Sequence, residues 1–281
     1  MTLGNGMHRS ALAAMIFIAG VCAAQAQDPA TRPQGASNVS TALVKDLAPT
    51  GKLRAAINLG NMVLAQKDPA TGALGGVTVD LARELARRLN LPLELVPFDA
   101  AGKVFEALKA GAWDIAFLAI EPVRAAEIAF TAPYVIIEGV YMVPKDSALR
   151  TVADVDREGV RIAVNKGSAY DLFLTRTLKH AQLVRGENGI ELFLRDRLEA
   201  AAGVKQPLVE YAKTNPAVRI MDGRFMEIRQ AMGTPKQRYQ GREDAPRYLH
   251  AFVEEMKATG FVAKALKRSN QPDAAVAPPA D

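Results

Sequence analysis

A glutamate and an arginine three residues apart, Glu121 and Arg124, stand where a short apolar run, "IAFLAI" (Ile115–Ile120), stops. Such a run suits a buried strand, so a carboxylate and a guanidinium emerge together at a strand end. A guanidinium offers a planar fork of donors that fits a carboxylate bidentately. It also fits a surface ion pair with Glu121 or Glu127, at i−3 and i+3. A second candidate is the turn Lys166, Gly167, Ser168, which opens a helix. Free N–H groups and the dipole at a helix start favour an anion. Gly167 lets a backbone approach closely and Ser168 adds a hydroxyl, although the same residues also make an ordinary helix cap. Other chemistry is hard to find. His180 and His250 read as helix-surface or helix-end residues, and there is no metal spacing, nucleophile elbow or phosphate loop. "GALGG" (Gly72–Gly76) lacks the strand-to-helix context of a dinucleotide site.

The chain that must position these groups has 281 residues, nearly half of them hydrophobic, and a formal net charge of +5. The basic residues are scattered among acids, without the one-sided concentration of a nucleic-acid binder. Arg9 precedes an apolar run, Ala11–Ala24, followed by the small-x-small sequence Ala24–Ala26. That is the pattern of a cleavable signal peptide, with cleavage after Ala26. The run is too short to span a bilayer, which takes about 20 residues. The single cysteine, Cys22, falls inside it, and Val21 before it does not suit a lipoprotein. The mature chain is then free of thiol chemistry, and the expected location is the periplasm. Residues 27–38 read as a loose leader and 269–281 as a disordered tail rich in Pro and Ala.

Between these ends, strands and helices alternate. Lys52–Leu59 suits a strand, and Leu81, Leu85 and Leu89 mark a helical stripe that ends at Asn90. Leu93–Phe98 and Trp113–Ile120 are the next strands, with a short helix closed by Gly111 between them. Tyr134–Pro144 breaks the rhythm as a β-rich connector. Strand and helix then resume at Val160–Asn165 and Ser168–Leu178 and continue through Ala200–Val204. Met226–Pro235 is a second connector, and Ala245–Arg268 reads as one closing helix. This alternation argues for α/β lobes with parallel sheets. Two lobes joined by two crossings imply a cleft.

The chain resembles the periplasmic solute-binding proteins of the amino-acid-binding family. The residues that carry the likeness are "GKLRAAI", "GALGGVTVDLARELARRL" with Asp80, "ALKAGAWDIAF" with Gly111 and Asp114, "EPVRAAEIAFTAPY" and "GVRIAVNKGSAYDLFL", in that order. The resemblance implies an α/β fold of two lobes, the periplasmic-binding-protein-like fold (type II), hinged by two β-like connectors. The first lobe would be 39–138 and 234–268 and the second 139–233. It implies a monomer without cofactor or bound metal that captures a small molecule and delivers it to an ABC transporter permease. Arg124 would hold the ligand's carboxylate, aided by backbone at Ala119, Gly167, Ser168 and Ala169. Phe98 stands near the family's aromatic platform, with plain core as the other reading. Asn58 and Asn61 follow the first strand where the family's loop reaches the cleft.

The chain departs from that family at the anion expected for a ligand's ammonium. Counting back from Pro207 puts Lys205 at the family's aspartate, or Val204 with a one-residue gap. An α-amino acid is therefore disfavoured, and a dicarboxylate or other organic acid is expected. Two arrangements account for Lys205. In one it faces the ligand with Arg124; in the other it pairs with Glu121 across the cleft as a latch. Two further functions stay open. One resembles cyclohexadienyl dehydratase, with Glu121 as a desolvated acid. The other is an accessory protein that reports a ligand to a sensor.

Overall fold

The computed structural model describes residues 1, 39–239, 241–272 and 274–280. The chain divides into two compact units, Met1–Ser37 and Asn38–Asp281. The expected signal peptide and leader lie, apart from Met1, outside the described residues; the architecture below is that of the second unit. It opens with α1 (Thr41–Leu47), β1 (Leu53–Asn58), the small hairpin β2 (Gln66–Lys67) and β3 (Leu74–Gly75), and α2 (Val77–Leu89). Then come β4 (Leu93–Phe98), α3 (Ala101–Glu106), β5 (Ile115–Ala119), α4 (Pro122–Ala125) and the long β6 (Ile128–Pro144). The second half has β7 (Arg161–Asn165), α5 (Ala169–Thr177), β8 (Gln182–Gly186), α6 (Gly189–Arg195), β9 (Ala200–Val204) and α7 (Lys205–Thr214). β10 (Val218–Ile220), β11 (Met226–Pro235), α8 (Asp244–Ala258), α9 (Phe261–Arg268) and β12 (Ala275–Val276) complete it.

The strands run in the order β4-β1-β5-β11-β6-β9-β7-β8. β4, β1 and β5 are mutually parallel, as are β9, β7 and β8. These parallel sets form the two lobes of a two-lobed α/β fold, and the antiparallel pair of β6 and β11 lies between them. β6 is 17 residues long and pairs with β11 from Gly139–Met226 to Ile128–Pro235. The register slips around Ala231, leaving an irregularity beside Gln230, and such bulges re-aim side chains.

The apolar stripe of α2 is buried as its spacing predicts, with Leu81, Leu85 and Leu89 facing the core beside Ala82 and Ala86. Asn90 takes a left-handed conformation and ends the helix. The buried Asp114 fastens the first lobe. Its carboxylate accepts from the Arg54 backbone N–H (2.9 Å) and from Arg54 Nε and Nη2, and pairs with Arg238 Nη2 at 3.0 Å. α1 was not foreseen, and the first connector starts at Ile128 rather than Tyr134. The expected closing helix is two, because Gly260 adopts φ +71° and turns the chain between α8 and α9.

The tail read as disordered is in fact ordered over its described residues. Ala275 and Val276 pair with Ile136 and Val135, on the edge of β6 opposite β11. Ala277 N–H donates to Tyr134 O at 3.1 Å. Lys257 Nζ donates to Pro278 O (2.8 Å) and Pro133 O (3.2 Å), tying the segment to α8. Its composition argues for disorder, but the free strand edge that orders it is set by the fold.

Two outcomes follow for stability. Removing residues 274–281 strips these bonds and exposes the β6 edge, and should cost roughly 1–3 kcal/mol in urea unfolding. Glu84 on α2 accepts from Arg87 and Arg88, and Arg88 in turn binds Glu255 on α8 at 2.7 Å. The Arg87 bond, aided by Arg88, holds the Glu84 carboxyl at about 2, below its ordinary 4.5. Its folded pKa lies under the unfolded one, so its contribution is complete above about 4.5 and is lost as pH falls toward 2. Glu84→Gln should therefore lose less stability than the wild type across that window, measured by thermal melts at stepped pH.

Candidate functional site

Arg124 is the most deeply buried cation of the fold's centre, 1% exposed. It sits on α4, a single turn opened by Pro122, whose fixed φ suits a helix start. Its Nη1 donates to Ala119 O at the end of β5 (3.2 Å). Its Nη2 donates to Gly167 O in the turn before α5, in the other lobe (2.8 Å). Its Nε has no partner. A guanidinium carries five N–H donors, so most of this fork is uncommitted. Burial pushes Arg124 down to about 10, against the pull of the Glu121 charge, and it remains a cation at neutral pH.

Arg124 lines a cavity of about 140 Å³ between the lobes. The first lobe contributes Asn58, Asn61 and Ala119, the second Lys166, Ser168, Ala169 and Val204, and β11 contributes Gln230. Asn61 is buried and its Oδ1 lacks a partner. Asn58 Oδ1 accepts from Gly60 N–H (3.1 Å) and Asn165 Oδ1 from Gly189 N–H (2.7 Å), so each keeps its NH2 for another partner. Asp99 is the one acid among the lining residues; it is exposed and paired with Lys103 at 2.9 Å.

The turn before α5 is used differently from expectation. Gly167 N–H donates to Asp171 Oδ2 (2.9 Å), so this amide serves its own helix. Ser168 Oγ accepts from Asp171 N–H as a helix cap, and Ser168 also lines the cavity. Gly167 itself is not among the lining residues. At φ +70° it packs on Gly102 of α3, where an added Cβ would come within 2.9 Å of the Gly102 Cα. Its missing side chain permits contact between the lobes, not an approach to a ligand. The first-turn amides of Ala169 and Tyr170 keep no intrahelical acceptor, and both residues line the cavity.

Three expectations need correction. Lys205 reaches neither the cavity nor Glu121: it pairs with Glu138 at 2.6 Å and lines a separate groove with Arg224 and residues of the tail. α7 starts at Lys205 and turns it outward, while Val204, the last residue of β9, faces the cavity. Glu121 is bound instead by Arg176 of α5, Oε2 to Nη1 at 2.5 Å, and is not among the lining residues. Phe98 packs against Val104 and Trp113 in a satellite core and is likewise not among the lining residues.

A family model, the bacterial extracellular solute-binding proteins, family 3, matches residues 63–270. The chain belongs to this family. The histidine-binding periplasmic protein of Salmonella typhimurium strain LT2 is 30% identical to this chain over 217 residues, covering 71% of this chain and 80% of the relative. The glutamine-binding protein of Geobacillus stearothermophilus is 23% identical over 240 residues, covering 81% and 91%. A crystal structure of an ancestral amino acid-binding protein, a precursor of cyclohexadienyl dehydratase, superposes with a TM-score of 0.65 at 23% identity, covering 80% of this chain and 98% of that one. The two-lobed fold of this family 3 protein agrees with that likeness.

Sequence reasoning missed Gln230, Asn165 and Arg176. Asn165 had a faint signal, ending a strand just before a glycine turn. Gln230 had none, because the register slip that aims it depends on pairing with β6. Arg176 lies 55 residues from Glu121 and on the other lobe. The two buried charge centres should respond differently to mutation. Asp114→Ala leaves Arg54 and Arg238 without their anion and should cost about 3–5 kcal/mol. Arg124→Met removes a cation that no carboxylate contacts but strands two carbonyls, and these effects should cancel to within about 1 kcal/mol. Urea unfolding of the two variants side by side checks this.

Proposed function

We propose that this family 3 protein is a periplasmic solute-binding protein that captures a small amine-free organic acid and delivers it to an ABC transporter permease. The observation that carries this reading is Arg124: a buried cation with an unpartnered Nε, in a cavity between the lobes, with no carboxylate in contact among the described residues. A buried charge without a counter-ion costs several kcal/mol, roughly, and a ligand carboxylate offsets that cost. The remaining lining favours acceptors on the ligand. Asn58 and Asn165 keep NH2 donors, Lys166 stands exposed at the rim, and Val204 fills the place where an ammonium would need an anion. Asn61 Oδ1 is the buried acceptor left over and suits a hydroxyl.

Dicarboxylates, hydroxy acids and keto acids fit this lining best. The relatives named for histidine and glutamine bind amines, so the two classes are separable by experiment. Turnover is not part of the proposal. A dehydratase acid would be Glu121, and its carboxylate is bonded to Arg176. The predicted leader supports export to the periplasm, and a closing cleft supports hand-over to a permease.

A thermal-shift panel of L-amino acids, dicarboxylates, hydroxy acids and keto acids tests the reading. A true ligand at about 100 times its dissociation constant adds roughly 2.7 kcal/mol. The expected result is a shift with at least one amine-free acid that Arg124→Met abolishes. A shift with a common L-amino acid alone overturns the organic-acid reading.

A further inference from the structure

Glu121 and Arg124 occupy one turn of the first lobe, with Arg124 N–H donating to Glu121 O at 2.9 Å. Glu121 is the extended N-cap of α4 and Arg124 its third helical residue, positions whose side chains can meet across a first turn, yet among the described residues these two opposite charges are not bonded to each other. Each is held from the second lobe. Glu121, 3% exposed, accepts at Oε2 from Arg176 Nη1 at 2.5 Å. Arg124 gives its Nη2 to Gly167 O at 2.8 Å. Arg176 is fixed for this task by its own bond to Leu172 O (2.8 Å) and by lying over the Phe173 ring, 5.9 Å from its centroid. Both contacts exist only while the lobes are together.

We propose that Glu121 is the counter-ion of Arg124 when the cleft is open, and that Arg176 takes up Glu121 on closure, so that Arg124 is left to the ligand's carboxylate in the closed cleft. The inference rests on the reading of Arg124 as the carboxylate receiver. When the lobes part, Glu121 loses Arg176 and Arg124 loses Gly167 O. A carboxylate and a guanidinium on one turn are then left with each other, and their pairing removes the penalty of two isolated charges. A ligand entering the open cleft displaces Glu121, and closure gives Glu121 its new partner. Binding and closure are thereby coupled through one carboxylate, and the coupling acts reciprocally. Glu121 and Arg176 are positioning residues, since neither needs to touch the ligand.

The exchange predicts an asymmetry that a simple latch does not. Without Arg176, closure strands Glu121, and Glu121 stays on Arg124 as a competitor. Without the Glu121 charge, the latch weakens but the competitor goes too. The probe is acetate, titrated by thermal shift on the full chain against chloride at matched ionic strength. Arg176→Gln should weaken the apparent acetate affinity roughly tenfold or more. Glu121→Gln should leave it within about threefold of wild type or tighten it. The double variant should bind more tightly than Arg176→Gln alone, and Arg176→Lys should recover part of the loss. Glu121→Ala, which also removes the charge, repeats the test should the glutamine variant fold poorly. Equal weakening by the two single variants, with the double variant no better than either, overturns the exchange while leaving the carboxylate reading intact. A wild type that responds to acetate no more than to chloride overturns the carboxylate reading itself, and the exchange falls with it.

Discussion

A guanidinium without a contacting anion, sealed between two lobes, is the constraint around which the centre of this protein is arranged. Water would solvate Arg124 well, and the fold denies it water. Two carbonyls replace part of that hydration, one from each lobe. Neutral acceptors compensate a buried cation only in part. The position of α4, a single turn wedged between the end of β5 and the start of β6, follows from this arrangement. So does the close packing of Gly102 on Gly167, since the Gly167 carbonyl reaches Arg124 only if the backbones of α3 and the α5 turn nearly touch. A Cβ at Gly167 would come within 2.9 Å of the Gly102 Cα and push these backbones apart.

The antiparallel pair of β6 and β11 is the mechanical counterpart of that constraint. It connects the two parallel strand sets and carries Gln230 into the cavity at its register slip. On the outer edge of β6 the C-terminal β12 adds hydrogen bonds at Val135 and Ile136, opposite β11. A connector paired on both edges bends less freely than one paired on one edge, because each added strand must follow the motion. The C-terminal segment therefore belongs to the mechanics of the two-lobed fold.

Much of this architecture is written in local pattern. The i, i+4, i+8 leucines of α2, the uninterrupted apolar run of β5 and the small-residue strand Ala200–Val204 each obey a periodicity that survives in the fold. The anion-free strand end is legible as well, since neither Val204 nor Lys205 is acidic. Which of the two faces the cavity is a matter of phase. It depends on α7 starting at Lys205, ahead of a proline that the first turn of a helix tolerates. The partner of Glu121 was invisible for another reason. Long-range ion pairs follow from how lobes meet, and no local rule connects position 121 to position 176. The order in the tail is hidden in the same way, since the edge that receives it is built by residues far upstream.

The fold is shared with an ancestral amino acid-binding protein described as a precursor of cyclohexadienyl dehydratase. An acid that protonated a bound molecule would have to face the cavity. A proton donor there must be desolvated and unpaired enough to give up its proton. Glu121 is buried, but its carboxylate is bonded to Arg176 of the other lobe, and Glu121 is not among the residues lining the cavity. The same bond leaves the Arg124 guanidinium without a carboxylate partner among the described residues. One ion pair across the cleft thus sets both where the Glu121 carboxylate lies and how much of the Arg124 fork stays uncommitted.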